Sequence, residues 1–182
     1  MKKIIWLALL FSLASTGNSQ NYKFIPNQLI EIKDIAVYEN LEFNNIKNFK
    51  KDSAVIADFA GQLLILDLWF KECTGCIAGF KKADTIQREY GTNIQFLLMT
   101  WDSEQKVRDH LSGPKAKLLP LISSPLPMIW SDSTAYFFFG IKTQPYLFFK
   151  IDESGRITRA WQGDLTKNII DYCLGRKEHW EY

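Results

Sequence analysis

Residues 67–76 read Asp67-Leu68-Trp69-Phe70-Lys71-Glu72-Cys73-Thr74-Gly75-Cys76. The apolar run from Leu63 to Phe70, broken by one acid, has the length and composition of a buried strand. After Cys76, the apolar residues Ile77, Phe80, Ala83, Ile86 and Tyr90 recur at helical spacing. The two cysteines therefore sit between a core strand and the start of a helix. Unpaired N–H groups at a helix N-terminus lower a thiol's pKa, and only the thiolate attacks a disulfide. Cys73, at or just before the first turn, is the better-placed nucleophile, with Cys76 as the resolving thiol.

Other readings of the pair are a static structural disulfide or half of a metal site. A metal site needs further ligands, and His110 and His179 stand alone without a second Cys-x-x-Cys. No metal is expected, and redox chemistry is the favoured reading.

Working outward, Gly91 is expected to stop the helix near Tyr90, and 94–100 is a second buried strand. Strand, helix and strand in this order predict a right-handed parallel crossover. Ser103 caps a helix running to about Leu111, before Gly113-Pro114. A short strand and a surface loop are expected between Lys115 and Pro127, then a strand over 127–130 and a short aromatic helix over 134–139. Tyr146 to Ile151 and Arg156 to Trp161 read as a hairpin around the turn 152–155. The final helix starts at Asp164 or Thr166 and buries Leu165, Ile169, Ile170, Cys173 and Leu174. Cys173 reads as a buried, inert thiol rather than a third redox partner. Upstream, Ser53 to Ile56 is a short strand and Asp58-Phe59-Ala60-Gly61 a turn with one buried aromatic. The pattern describes an α/β fold with a mixed sheet and helices on both faces.

With 182 residues, 47% of them hydrophobic, the chain suffices for one well-filled core. Residues 1–20 read as a signal peptide: Lys2 and Lys3, a short apolar stretch from Ile4 to Leu13, then the small residues Ala14, Ser15 and Gly17. The competing reading is an uncleaved anchor. Residues 21–48 form an N-terminal extension with edge strands, and 49–182 the main domain. Of 22 basic residues, Lys2 and Lys3 leave with the first segment, and no acid does; against 20 acidic residues the remainder is formally neutral. With no basic block, nucleic acid is not an expected partner. The expected location is extracytoplasmic, such as the periplasm, with the mature chain soluble.

The stretch 67–76 resembles the active-site segment of thioredoxin-fold proteins. In that family a buried acid lies six positions before the first cysteine and a Trp four before it, offsets that Asp67 and Trp69 match. Pro145, within Thr143-Gln144-Pro145-Tyr146, matches the family's cis-proline beside the sulfurs; the bare sequence also allows an ordinary trans-proline. Pro145 lies 69 positions after Cys76, a separation similar to that of exported disulfide reductases of the TlpA and ResA type, which carry a mid-fold insertion.

The resemblance implies a thioredoxin-like fold with that insertion and an N-terminal extension. It also implies a redox-active Cys73–Cys76 disulfide, with no other cofactor. Asp67 would be a desolvated proton shuttle for Cys76, rather than an acid solvated at the strand's mouth. Pro145 and Gln144 would shape the docking groove, with Glu72, Thr74 and Gly75 beside the sulfurs. Trp69 is open between packing and contact with a partner. The implied partners are proteins with disulfides, among them apocytochromes, and a membrane thiol donor.

Three positions depart from the family pattern: Glu72 where Trp is usual, Gly75 where Pro is frequent, and Gln144 where a small or β-branched residue is usual. Glu72 opposes thiolate formation at Cys73 while Lys71 favours it. A destabilised thiolate makes the couple a stronger reductant. The expected function is an exported thiol–disulfide oxidoreductase, in the reductive direction. The alternative is a binding module of the same fold with a structural disulfide.

Overall fold

The computed structural model describes residues 29–132 and 146–180. Gln144, Pro145, the expected helix 134–139 and the first twenty residues lie outside the described residues.

Twelve elements build the described part: β1 (Leu29–Ile32), β2 (Glu42–Asn44), β3 (Ile46–Lys47), β4 (Ser53–Val55), β5 (Leu63–Leu68), α1 (Thr74–Tyr90), β6 (Ile94–Met99), α2 (Glu104–His110), β7 (Met128–Ile129), β8 (Tyr146–Ile151), β9 (Ile157–Gly163) and α3 (Lys167–Cys173). Among the described residues, seven strands form one mixed sheet in the order β1-β9-β8-β5-β6-β7-β3, and β2 pairs with β4 separately.

β5 lies at the centre, parallel to β6 and antiparallel to β8. Every residue of β5 is buried, which explains its near-continuous apolar run. Its alternation divides the core. Leu63, Ile65 and Trp69 join the cluster packed by α1, α2 and α3, with Ile77, Phe80, Val107 and Ile169. Leu64, Leu66 and Leu68 join a second cluster, with Phe43, Phe59, Leu147 and Phe149. That second face is covered by the β2–β4 ribbon and by the 3-10 turn Ile56–Phe59.

Local chemistry accounts for the element ends. Cys73 is the N-cap of α1, and Gly91 beyond its last turn has φ +57. A left-handed residue is the usual way a helix stops, and glycine adopts it without a Cβ clash. Ser103 Oγ accepts the Lys106 N–H at the start of α2, and Thr166 Oγ1 accepts the Ile169 N–H at the start of α3. In the β8–β9 turn, Asp152 Oδ1 accepts the N–H groups of Ser154 and Arg156. Gly155 has φ +82, and a Cβ there would lie 2.9 Å from Ala57.

One feature differs from the sequence reading. Instead of a strand and a surface loop, Gly113–Ser123 forms a run of 3-10 turns that begins at Pro114 and passes through Pro120. It packs Leu118, Leu119 and Leu121 against the α1 side of the core. Proline's missing N–H and fixed φ suit a short tight turn better than a strand interior. The edge strands expected within 21–48 are present as both outer strands of the main sheet: β1 pairs with β9, and β3 with β7. No helix among the described residues is long and apolar enough to cross a membrane.

Candidate active site

The site gathers at the C-terminal ends of the parallel strands β5 and β6, where loops leave the sheet together. Trp69 N–H bonds to Met99 O, carrying the sheet pairing one residue past β5. The chain then turns, with Cys73 N–H donating to Phe70 O, and enters α1.

Cys73 and Cys76 are joined by a disulfide with their Cα atoms 5.3 Å apart. The Cys76 N–H, one of the orphan donors of the first turn, points at Cys73 Sγ across 3.2 Å. An N–H in that position at a helix N-terminus favours negative charge on a thiolate. Both cysteines are partly buried, while Thr74 and Gly75 between them are exposed. Among the described residues, a Cβ built at Gly75 would meet nothing within 4 Å. Glu72 beside it is exposed as well.

Asp67 sits on the α1 face of β5 and is 3% exposed. Desolvation raises its carboxyl to about 7, and a hydrogen bond from the Tyr146 hydroxyl works the other way. Its Oδ2 is buried and has no hydrogen-bond partner among the described residues. The alternative of a solvated acid at the strand's mouth does not describe this burial. Trp69 is fully buried, edge-to-face with Phe80 (ring centroids 5.1 Å apart) and Trp130 (5.4 Å). An indole with no accessible surface packs the core. Of the two readings of Trp69, this burial favours packing over partner contact.

On the opposite side of Cys73, the charges form a network. Lys71 Nζ lies 2.6 Å from Glu72 Oε1 and 3.5 Å from Asp102 Oδ1, while Asp102 Oδ2 accepts the Lys71 N–H at 2.9 Å. The Lys71 ammonium holds the Glu72 carboxyl below its ordinary range. Phe70 and Trp101 stack nearby at 5.6 Å and 12°. Lys71 is therefore shared between two carboxylates, of which Glu72 directly precedes Cys73.

Asp102 and Tyr146 were not singled out from sequence. Asp102 lies three residues past the C-terminal end of β6, and a polar residue just past a parallel strand is a signal of position. Tyr146 reveals itself only through strand register, being directly opposite Asp67 in the β5–β8 pair. Cys173 is buried on α3, and burial pushes its thiol up to about 12, far from a reactive range. Among the described residues, no group of three or more His, Cys, Asp or Glu side chains is placed to hold a metal ion.

No family model matches the sequence, and no curated protein matches it. Solved structures do. The pneumococcal exposed lipoprotein thioredoxin from Streptococcus pneumoniae strain TIGR4 aligns with 76% of this chain and 99% of its own, at 19% identity and a TM-score of 0.51. The fold is thioredoxin-like. A secreted disulfide oxidoreductase from Mycobacterium tuberculosis aligns with 78% of this chain and 98% of its own, at 7% identity and a TM-score of 0.52. StoA from Bacillus subtilis aligns with 75% and 98%, at 16% identity and a TM-score of 0.50.

Proposed function

We propose that this chain is a thiol–disulfide oxidoreductase that reduces disulfides in other proteins. The observation that carries the reading is the cystine at the N-terminus of α1, with an N–H directed at Cys73 Sγ and a buried carboxyl on the same face of the sheet. A dithiol donor first reduces the Cys73–Cys76 bond. The Cys73 thiolate then attacks a sulfur of the substrate disulfide, forming a mixed disulfide and releasing one substrate thiolate. Cys76 gives its proton to Asp67, and its thiolate attacks Cys73 Sγ. The second substrate thiol leaves, and the Cys73–Cys76 disulfide is restored. Two electrons pass from the dithiol pair to the substrate, which takes up two protons.

The reductive direction rests on the charge around Cys73. Glu72 and Asp102 share a single ammonium, so the thiolate gains little from its neighbours beyond the helix terminus. A less stable thiolate shifts the couple towards reducing potentials. The redox-active pair serves as the only cofactor. In the same reading, residues 1–20 direct export to the periplasm or another extracytoplasmic space, residues 21–48 supply the outer strands, and 49–182 form the main domain. Glu72, Thr74, Gly75, Gln144 and Pro145 line the docking face. The substrates are envelope proteins with disulfides, including apocytochromes, and a membrane thiol carrier returns the electrons.

The test is turbidimetric insulin reduction driven by dithiothreitol. Cys73→Ser should fall to the rate of dithiothreitol alone, and Cys76→Ser should stall as a mixed disulfide. Undiminished activity in Cys73→Ser sinks the assignment and leaves the binding module with a static disulfide.

A further inference from the structure

We propose that Tyr146 is a positioning residue for the proton-handling carboxyl: its hydroxyl holds one oxygen of Asp67 and leaves Oδ2 for the proton of Cys76. The inference rests on the thiol–disulfide exchange proposed above.

Tyr146 opens β8 directly opposite Asp67 on β5. Antiparallel partners point to the same face of a sheet, and both side chains lie on the face covered by α1. The hydroxyl reaches α1, where a Cβ built at Gly79 would lie 3.6 Å from it, three positions beyond Cys76. The hydrogen bond links the hydroxyl to the Asp67 carboxyl, and Oδ2 has no partner among the described residues, so Oδ1 is the acceptor. A buried carboxyl with one oxygen tied and the other untied has one defined place to take up a proton.

The surroundings make Tyr146 a fixed donor rather than a relay. Burial and the nearby Asp67 charge push its phenol above its ordinary range, so it keeps its proton wherever Asp67 titrates. Asp164, between β9 and α3, adds a second negative charge against the phenol. From α1, Cys76 packs against the same core cluster, together with the apolar Ile77 and Phe80. β6 presents Leu98 in register with Asp67. Tyr146 is thus the group that favours the carboxylate against a desolvating core. Without its hydroxyl, Asp67 would stay protonated further into the alkaline range, and fewer molecules would hold the carboxylate that accepts the Cys76 proton.

The experiment is an infrared titration of the buried carboxyl in the oxidised full-length protein. In that state neither Cys73 nor Cys76 titrates, so the readout is independent of turnover and of whether the chain reduces anything. Asp67→Asn identifies the band. Tyr146→Phe should move its midpoint upward by about one pH unit, the scale of one hydrogen bond to a charged group. An unchanged or lowered midpoint would overturn the proposal. Should the Phe variant not fold, the parent protein labelled with ¹³C at tyrosine Cζ serves instead. The Tyr146 resonance should then titrate with the Asp67 midpoint, and a flat response there is equally decisive against it.

Discussion

The two faces of β5 have the same strand backbone and nearly opposite duties. Leu64, Leu66 and Leu68 point into a cluster that is apolar throughout, closed by Phe43, Phe59 and Phe149. Leu63 and Ile65 begin the other face in the same way, but Asp67 ends it with a buried acid, and the loop beyond delivers two sulfurs. Period-2 alternation lets one strand do both, because a change on one face leaves the other untouched. The apolar face supplies burial without chemistry. The α1 face gives up some of that burial to hold a carboxyl out of water, where its proton affinity is set near neutrality.

Breaking the apolar face should cost stability alone. Phe59 is fully buried and packs edge-to-face on Phe43 at 5.9 Å. Phe59→Ala should lower unfolding free energy by about 4 kcal/mol, read by urea titration, with insulin reduction per folded molecule unchanged.

The α1 face should respond to pH in the opposite sense from most carboxylates. Burial raises the Asp67 carboxyl from its ordinary value of 3.8 to about 7 on folding, so between those values the native state binds more protons than the unfolded chain. Stability is then fullest below the unfolded value and falls as pH rises towards 7. Asp67→Asn removes that slope. The stability difference between variant and parent should move by on the order of 3 kcal/mol in the variant's favour from pH 4 to pH 8. The same variant should resolve its mixed disulfides more slowly. A parallel pair of pH–stability curves would show that Asp67 is not the buried acid described here.

What could be read from the chain follows the same division. β5, α1 and β6 announce themselves because central strands and the helix they flank are written in near-continuous apolar runs, a cap and a terminal glycine. The cysteine pair and Asp67 were legible because they are close in sequence. Edge strands were legible within 21–48, but which strands they border was not, since the partners of β1 and β3 are β9 and β7, far along the chain. Gly113–Ser123 misled because Leu and Pro at short intervals suit 3-10 turns and loops alike. Tyr146 was invisible for a related reason: its meaning lies in being opposite Asp67, and register between strands some eighty residues apart leaves no local mark. Trp69 was open between packing and partner contact in the sequence, and its burial favours packing.

The central claim is that Cys73 and Cys76 exchange electrons rather than staple a loop. Equilibration of the full-length protein in dithiothreitol buffers of graded potential, followed by thiol alkylation and mass measurement, tests it directly. The account predicts a reversible two-electron couple between about −200 and −300 mV, in the range of reducing exchange proteins. A couple near −120 mV would contradict the reductive direction, and a pair still oxidised well below about −300 mV would contradict redox function altogether.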